Sequence, residues 1–307
     1  MTLLTPLAAM WLLATGGVVL PSALISTFPV LSEFVTYGKI RRQNAHPVVT
    51  WLSVPKRYFT HFYVVGAFFA SCWAMFLSWC HWGAADDASV VRNATRDTLA
   101  FLAGGSSVAM NRSTTWLVAL LLQLHLLRRL SESLFTSVYS ESQMNVFHYF
   151  AGLFFYTHLP VTLFAEADLT RASAKDTLSV YDVGWTQWLG VAVFLGANAI
   201  QHQIFVHFAG MRKNEHGSVL TYAHGIPFGG PLQLFELVSC PHFLAELLLY
   251  VGLYAAVGLG AHYHLHFLLL FVLSNQVIAA RITHQWYRDR FGDKYPRERM
   301  ALVPYVF

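Results

Sequence analysis

The sequence is poor in charged residues and in cysteine. Only 12% of the 307 residues are Asp, Glu, Lys or Arg, whereas soluble domains carry about 25%. The composition therefore excludes an ordinary soluble domain. The three cysteines, Cys72, Cys80 and Cys240, fit neither a disulfide framework nor a zinc spacing, and we interpret them as apolar packing residues. No internal repeat, low-complexity segment or linker divides the chain, so we predict a single domain over residues 1–307.

Several catalytic motifs are also absent from the sequence. No Gly-x-Gly-x-x-Gly motif follows a strand, which excludes a Rossmann domain and means that any nicotinamide cofactor must be held among helices. The His-x-x-His-His boxes of di-iron desaturases are missing. His262 and His266 lie about one helical turn apart but have no carboxylate nearby. We therefore expect no bound metal.

Long apolar runs are abundant instead. Hydrophobic residues make up 55% of the chain, and the runs reach the roughly 20 residues that a membrane helix needs, which is too long for barrel strands. The pattern predicts an all-α integral membrane protein with about seven transmembrane helices. The predicted spans are 5–29, 58–82, 114–137, 145–166, 185–208, 232–258 and 261–282.

The distribution of basic residues predicts the orientation. Fifteen of the Lys and Arg residues fall in the segments on one side of these spans and five on the other. Because short cytosolic loops carry the excess of positive charge, the C-terminus is predicted to be cytosolic and the N-terminus lumenal. Both Asn-x-Ser/Thr sequons, at Asn93 and Asn111, then fall in one lumenal loop. The basic charge thus reflects topology, and no nucleic-acid partner is expected.

Two groups of polar residues interrupt the apolar runs of the first half. The segment LHLLRRLSESLF (124–135) places His125, Arg129 and Glu132 on one helical face. It can be interpreted as a helix end with an Arg128–Glu132 pair or as part of a site, and we favour the site. The segment VPKRYFTHFY (54–63) contributes residues at a predicted cytosolic boundary, namely Tyr58, His61 and Tyr63.

The C-terminal third has the densest set of polar residues. Glu246 lies inside an apolar helix, where an unpaired carboxylate costs several kcal/mol, so it must have a partner. Basic side chains around it could bind a pyrophosphate or a 2′-phosphate; they are Arg212, Lys213, Arg288 and Arg290. Asn275, His284 and Tyr287 lie in the same third of the chain.

Taken in order, these segments resemble the polyprenol reductase branch of the steroid 5α-reductase family. The resemblance rests on FVTYGKI, VPKRYFTHFY, LHLLRRLSESLFTSVYS, HQIFVH, RKN, IPFGG, VSCPHFLAEL, NQ, HQWY and YPRERMALVPYVF, and it runs from about residue 34 to the end. It implies a seven-helix membrane enzyme of the endoplasmic reticulum. Such an enzyme uses NADPH to saturate the α-isoprene double bond of a long-chain polyisoprenoid on the route to dolichol, which supports protein N-glycosylation.

The resemblance also assigns regions and residues. It implies a lipid-substrate side over about 34–144 and an NADPH-binding half over about 198–307. Glu246 matches the glutamate that binds the nicotinamide amide, and His284 and Tyr287 belong to the cofactor-binding end. The stretch Arg212, Lys213 and Asn214 matches the region near the cofactor phosphates, and Asn275 is carried over with the cofactor half. His242 replaces a common asparagine and Gly225 a common arginine, so these two positions depart from the family pattern.

The chemistry of hydride addition to a carbon–carbon double bond limits the choice of substrate. An allylic alcohol offers no electron sink for hydride addition, whereas an aldehyde at C1 can take the charge on its oxygen. We therefore expect polyprenal to be the immediate substrate. The candidate donors are Tyr58, His61, Tyr63 and His125, with Glu132 orienting one of them. The alternatives are a 3-oxo-steroid or enoyl-thioester reductase of the same family, an isoprenylcysteine-type methyltransferase, and a seven-helix receptor or transporter.

Overall fold

The computed structural model describes residues 4–25, 27–28, 31, 36, 51–83, 88–105, 110–173, 176–259 and 263–307. The FVTYGKI segment apart from Thr36, and the histidine at position 262, lie outside the described residues.

Helices dominate the described part of the chain. In chain order they are α1 Pro6–Ala23, α2 Phe59–Trp82, α3 Ala88–Leu102, α4 Arg112–Ser131, α5 Val146–Phe164, α6 Trp185–Gly210, α7 Leu234–Leu237, α8 Pro241–Val257 and α9 Tyr263–Phe291. A π-helical turn, Glu132–Thr136, continues α4. Two three-residue strands, β1 Ser53–Pro55 and β2 Gln143–Asn145, pair antiparallel with Val54 opposite Met144.

Among the described residues, four segments are long and apolar enough to cross a membrane: Pro6–Ala23, Lys56–Trp82, Trp185–Gly210 and Tyr263–Lys294. They coincide with four of the predicted spans, which confirms a mostly helical chain with several candidate membrane helices. The other three predicted spans overlap α4, α5 and α8, and α8 is apolar but shorter. The count of seven and the orientation of the termini stay predictions.

The element boundaries differ from the prediction in three places. The predicted span 232–258 is interrupted at residues 238–240, because Pro241 excludes Cys240 from the helix; Cys240 has φ −130° and ψ 57°. The helix α9 runs through Phe291 and so extends past the predicted end at 282. The predicted lumenal loop 83–113 contains α3, whose polar composition hides it from a search for apolar runs.

Close contacts between helices fix the frame of the bundle. Helices α6 and α8 cross at two glycines: a Cβ added at Gly190 would lie 2.5 Å from the backbone nitrogen of Ala256, and one at Gly252 would lie 2.6 Å from that of Phe194. Trp11 of α1 packs on Phe271 of α9 with 5.4 Å between ring centroids. Helix α2 packs on α4 and α5. The start of α2, the end of α4, the second half of α6 and the start of α8 therefore meet around one polar region.

Candidate active site

A buried carboxylate, Glu132, is the centre of the polar region. Only 1% of Glu132 is exposed. Its Oε1 accepts hydrogen bonds from Arg128 Nη1 at 2.5 Å and, from α6, His202 Nδ1 at 2.8 Å, and its Oε2 accepts from Arg129 Nη1. Both arginines precede Glu132 by one helical turn, so the sequence spacing produces the pairs locally. Two guanidinium groups thus compensate one buried carboxylate.

Arg128 connects Glu132 to α6 and, through it, to α8. Its Nε donates to Asn198 Oδ1 at 2.9 Å and its Nη2 to Gln201 Oε1 at 2.5 Å. The Gln201 amide then donates through Nε2 to Glu246 Oε2. This contact supplies the partner that Glu246 was expected to need. Sequence reasoning missed Asn198 and Gln201, although both are polar residues one turn apart in an apolar run.

Arg129 connects Glu132 to α2. Its Nη2 donates to Tyr63 Oη at 2.6 Å, and its guanidinium carbon lies 4.8 Å from the centroid of the Tyr63 ring and 4.1 Å from that of Phe205. A guanidinium can only donate hydrogen bonds. The Tyr63 hydroxyl therefore accepts from Arg129 and keeps its own proton available for another acceptor.

Several buried side-chain atoms have no hydrogen bond among the described residues, and two of them belong to rings that pack against each other. These two atoms are His125 Nε2 and Tyr250 Oη, and the ring centroids lie 6.4 Å apart. His125 Nδ1 lies 3.2 Å from both Arg128 Nη2, a donor, and Asn198 Oδ1, an acceptor, so both tautomers of the ring have a partner at Nδ1. Tyr250 follows Glu246 by one helical turn, a spacing that could have identified it. Such atoms are costly to bury unless a ligand satisfies them.

A second polar cluster lies where the segment before α8 meets the end of α9. Ser239 Oγ lies 2.6 Å from His284 Nδ1 and 2.5 Å from Tyr295 Oη. The Tyr295 ring stacks on that of Tyr287 at 5.5 Å with an interplanar angle of 8°. Burial raises the pKa of Tyr295. Tyr295 thus contacts both His284, through Ser239, and Tyr287, and the assignment of these residues to a cofactor-binding end stays a prediction.

A buried arginine, Arg299, ties the loop before α7 to this cluster. Its Nη1 donates to the carbonyl of Pro227 at 3.0 Å, and its guanidinium carbon lies 5.3 Å from the ring centroid of Tyr295. Glu236 accepts from the backbone N–H of Gly229 at 2.6 Å and lies 3.8 Å from Arg299 Nη2. The loop needs this support, because four of its residues have left-handed backbone angles: Gly229, Gly230, Leu232 and Gln233.

The basic segment after α6 is engaged with the turn that carries Glu132. Lys213 Nζ donates to the carbonyl of Thr136 at 2.8 Å, and Arg212 Nη1 donates to that of Val138 at 3.3 Å. Burial lowers the pKa of Arg212. The side chain of Asn214 accepts from the backbone of the following turn, including Ser218 N at 2.8 Å. In this arrangement the segment packs the π-helical turn from the outside.

The remaining predicted residues lie outside the network of Glu132, Arg128, Arg129, Gln201 and Glu246, except that the carbonyl of His242 accepts from Gln201 Nε2 at 3.4 Å. Tyr58 stacks on His61 at 4.5 Å, and the exposed His61 ring contacts Tyr149 Oη at 3.0 Å. The ring of His242 packs against that of Phe243 at 4.0 Å. Asn275 lies half-buried on α9. The roles assigned to Tyr58, His61, His242 and Asn275 stay predictions.

Comparison with known proteins identifies the family. Residues 142–307 match the sequence model of the family described as 3-oxo-5-alpha-steroid 4-dehydrogenase. Similar proteins include polyprenal reductases of Caenorhabditis elegans, 37% identical over 90% of this chain and 87% of the relative, and of Danio rerio, 36% identical over 90% and 87%. The Homo sapiens polyprenal reductase is 32% identical over 99% of this chain and 96% of its own length. The chain belongs to the steroid 5α-reductase family.

Membership in the steroid 5α-reductase family confirms the resemblance drawn from the motifs. The matched family segment contains Gln201, Glu246 and the second polar cluster around Ser239, His284 and Tyr295. The Glu132, His125 and Tyr63 side chains lie before it, in the part of the chain that the match to the human relative also covers. As a reductase family member the chain is an oxidoreductase with an apolar, mostly helical body.

Proposed function

We propose that this protein is an NADPH-dependent reductase that saturates the α-isoprene double bond of a polyprenal, the aldehyde of a polyprenol, in the endoplasmic reticulum membrane on the route to dolichol. The similarity to polyprenal reductases supports the substrate class, and the apolar helices suit a substrate that remains in the bilayer. The observation that carries the chemistry is the hydrogen bond from Arg129 to Tyr63, which leaves a phenolic proton to donate.

The described residues fit a nicotinamide cofactor. Glu246 uses Oε2 for Gln201, and within the described structure Oε1 has no hydrogen bond, so that it can accept from a carboxamide NH₂. Near the end of α9, the cofactor would be held by the second polar cluster, which consists of Ser239, His284, Tyr287 and Tyr295. Arg212 and Lys213, which follow the end of α6, are our candidates for pairing with a cofactor phosphate, because a guanidinium and an ammonium donate charge-assisted hydrogen bonds.

Bound NADPH would supply a hydride to C3 of the substrate. The electron pair of the C2–C3 double bond then moves to C1–C2, and the carbonyl pair moves onto the aldehyde oxygen. Tyr63 donates its phenolic proton to that oxygen as a hydrogen bond, and Arg129 increases the acidity of the phenol by donating to Oη. Protonation at C2 completes the saturation. His125 Nε2 and Tyr250 Oη, which are buried without a hydrogen bond among the described residues, are our candidates for holding the oxygen or delivering that proton.

The Glu132 network fixes these donors before the substrate arrives. Glu132 holds Arg129, which orients Tyr63, and it holds Arg128, which orients Asn198 and Gln201. Preorganised donors stabilise a developing oxyanion because they need no rearrangement during the reaction. In this proposal Glu132 is a positioning residue. It binds Arg129, which in turn orients the Tyr63 hydroxyl, and it does not contact Tyr63 itself.

A 3-oxo steroid is the second candidate substrate, because the matching family is described by that activity. Both substrates are conjugated carbonyl compounds and would use the same donors, but they differ in shape and length. The experiment is a competition in detergent between a polyprenal and a 3-oxo-Δ4 steroid with NADPH, followed by mass spectrometry. We expect preferential saturation of the polyprenal. Preferential reduction of the steroid would refute the proposed substrate.

A further inference from the structure

The two sequons lie on the segment between α2 and α4 but in different environments. Asn93-Ala94-Thr95 is part of α3, and Asn111-Arg112-Ser113 begins α4. Under the predicted orientation both face the lumen, where Asn-x-Ser/Thr sequons are glycosylated. A glycan is bulky and solvated, so that the acceptor amide and the space around it must be open.

The side chains of the sequon at Asn111 are engaged in native hydrogen bonds, although Asn111 itself is exposed. Asn111 Oδ1 accepts from Thr114 N at 2.8 Å and caps α4, while Nδ2 donates to the carbonyl of Asp182 at 3.0 Å. The sequon hydroxyl, Ser113 Oγ, donates to Asp182 Oδ2 at 2.8 Å and accepts from Ser179 N at 3.0 Å. A sugar on Nδ2 would enter the contact with the segment around Asp182.

The sequon at Asn93 is open. The Asn93 side chain is exposed and makes no hydrogen bond within the described structure, and the residue beside it, Ala94, is exposed as well. Elsewhere on α3, Leu99 is buried and Arg92 Nη1 donates to the carbonyl of Cys80 at 3.1 Å. A glycan on the exposed Asn93 would not require either of these contacts to break.

We propose that Asn93 is a site of N-linked glycosylation and that Asn111 is unmodified. In the reaction, Nδ2 of Asn93 forms a bond to the anomeric carbon of an oligosaccharide carried on a lipid pyrophosphate. The bond from that carbon to the phosphate oxygen breaks, the lipid pyrophosphate leaves, and the amide nitrogen loses one proton. The proposal rests on the predicted orientation and is independent of the proposed reductase activity.

The test is the mobility shift that peptide N-glycosidase produces on the full chain expressed in a eukaryotic cell. We expect a shift of one glycan in the unmodified chain. Asn93→Gln and Thr95→Ala should abolish it, whereas Asn111→Gln and the matched variant Thr95→Ser, which keeps the hydroxyl, should retain it. Absence of a shift in the unmodified chain, or a shift that survives Asn93→Gln, would overturn the proposal. Protease access to a tag after Phe307 in sealed microsomes reports the orientation separately.

Discussion

Replacing Glu132 by glutamine removes a buried charge and keeps nearly the same shape. In the native protein the carboxylate compensates Arg128 and Arg129, and only 2% of its side chain is exposed. Breaking a buried ion pair by neutralising one partner costs about 3–5 kcal/mol, because the remaining charge is left without compensation. Since about 1 kcal/mol shifts Tm by roughly 2–4 °C in a chain of a few hundred residues, we expect Tm to fall by at least about 6 °C.

The chain contains a matched control for this substitution. Asp293 pairs with Arg297 at the same spacing of four residues, at 2.7 Å, but the two side chains are 92% and 85% exposed. Exposed pairs contribute about 0–1 kcal/mol, so Asp293→Asn should shift Tm by no more than about 4 °C. The assay is thermal unfolding of the purified protein in one detergent, followed by tryptophan fluorescence. Equal small shifts for Glu132→Gln and Asp293→Asn would refute the interpretation of Glu132 as the electrostatic centre.

Three further substitutions and one control substitution test other parts of the site and fold. Tyr63→Phe keeps the ring over Arg129 but removes the proposed oxyanion donor; kcat should fall about 10²–10³-fold with KM for NADPH unchanged, and steady-state kinetics with kcat kept would contradict the donor role. Glu246→Gln should weaken NADPH binding by about 1.5–3 kcal/mol, measured by ligand fluorescence; unchanged affinity would make Glu246 structural. Gly252→Ala should lower Tm because its Cβ meets backbone at 2.6 Å, whereas Gly196→Ala, with no atom within 4 Å, should keep or raise it; equal Tm values would contradict the close helix crossing.

The length of the apolar runs predicted most of the fold, because membrane helices are specified by length and composition. Each of the seven predicted spans overlaps a helix of the structure. Four of these helices, α1, α2, α6 and α9, form the candidate membrane spans. The prediction was wrong where local chemistry overrides hydropathy. Pro241 begins a new helix inside the predicted span 232–258, and the polar helix α3 carries no apolar run.

The candidate site was predictable where its contacts are local. Arg128, Arg129 and Glu132 are neighbours along one helix, so their spacing was sufficient to indicate the ion pairs. The contacts to Tyr63 and Gln201 join residues on different helices, and they depend on how the bundle packs. A single sequence does not contain that information in its periodicity.

Transfer of a labelled hydride tests the central claim most directly, namely that the site reduces a conjugated aldehyde by addition at C3 with Tyr63 near the oxygen. Purified protein is given NADPH deuterated on the transferred position, together with either polyprenal or polyprenol, and the products are analysed by mass spectrometry and NMR. The account predicts one deuterium at C3 of the saturated aldehyde and no reaction of the alcohol. Equal saturation of polyprenol in a preparation free of alcohol dehydrogenase activity, or deuterium at C1 or C2, would contradict it.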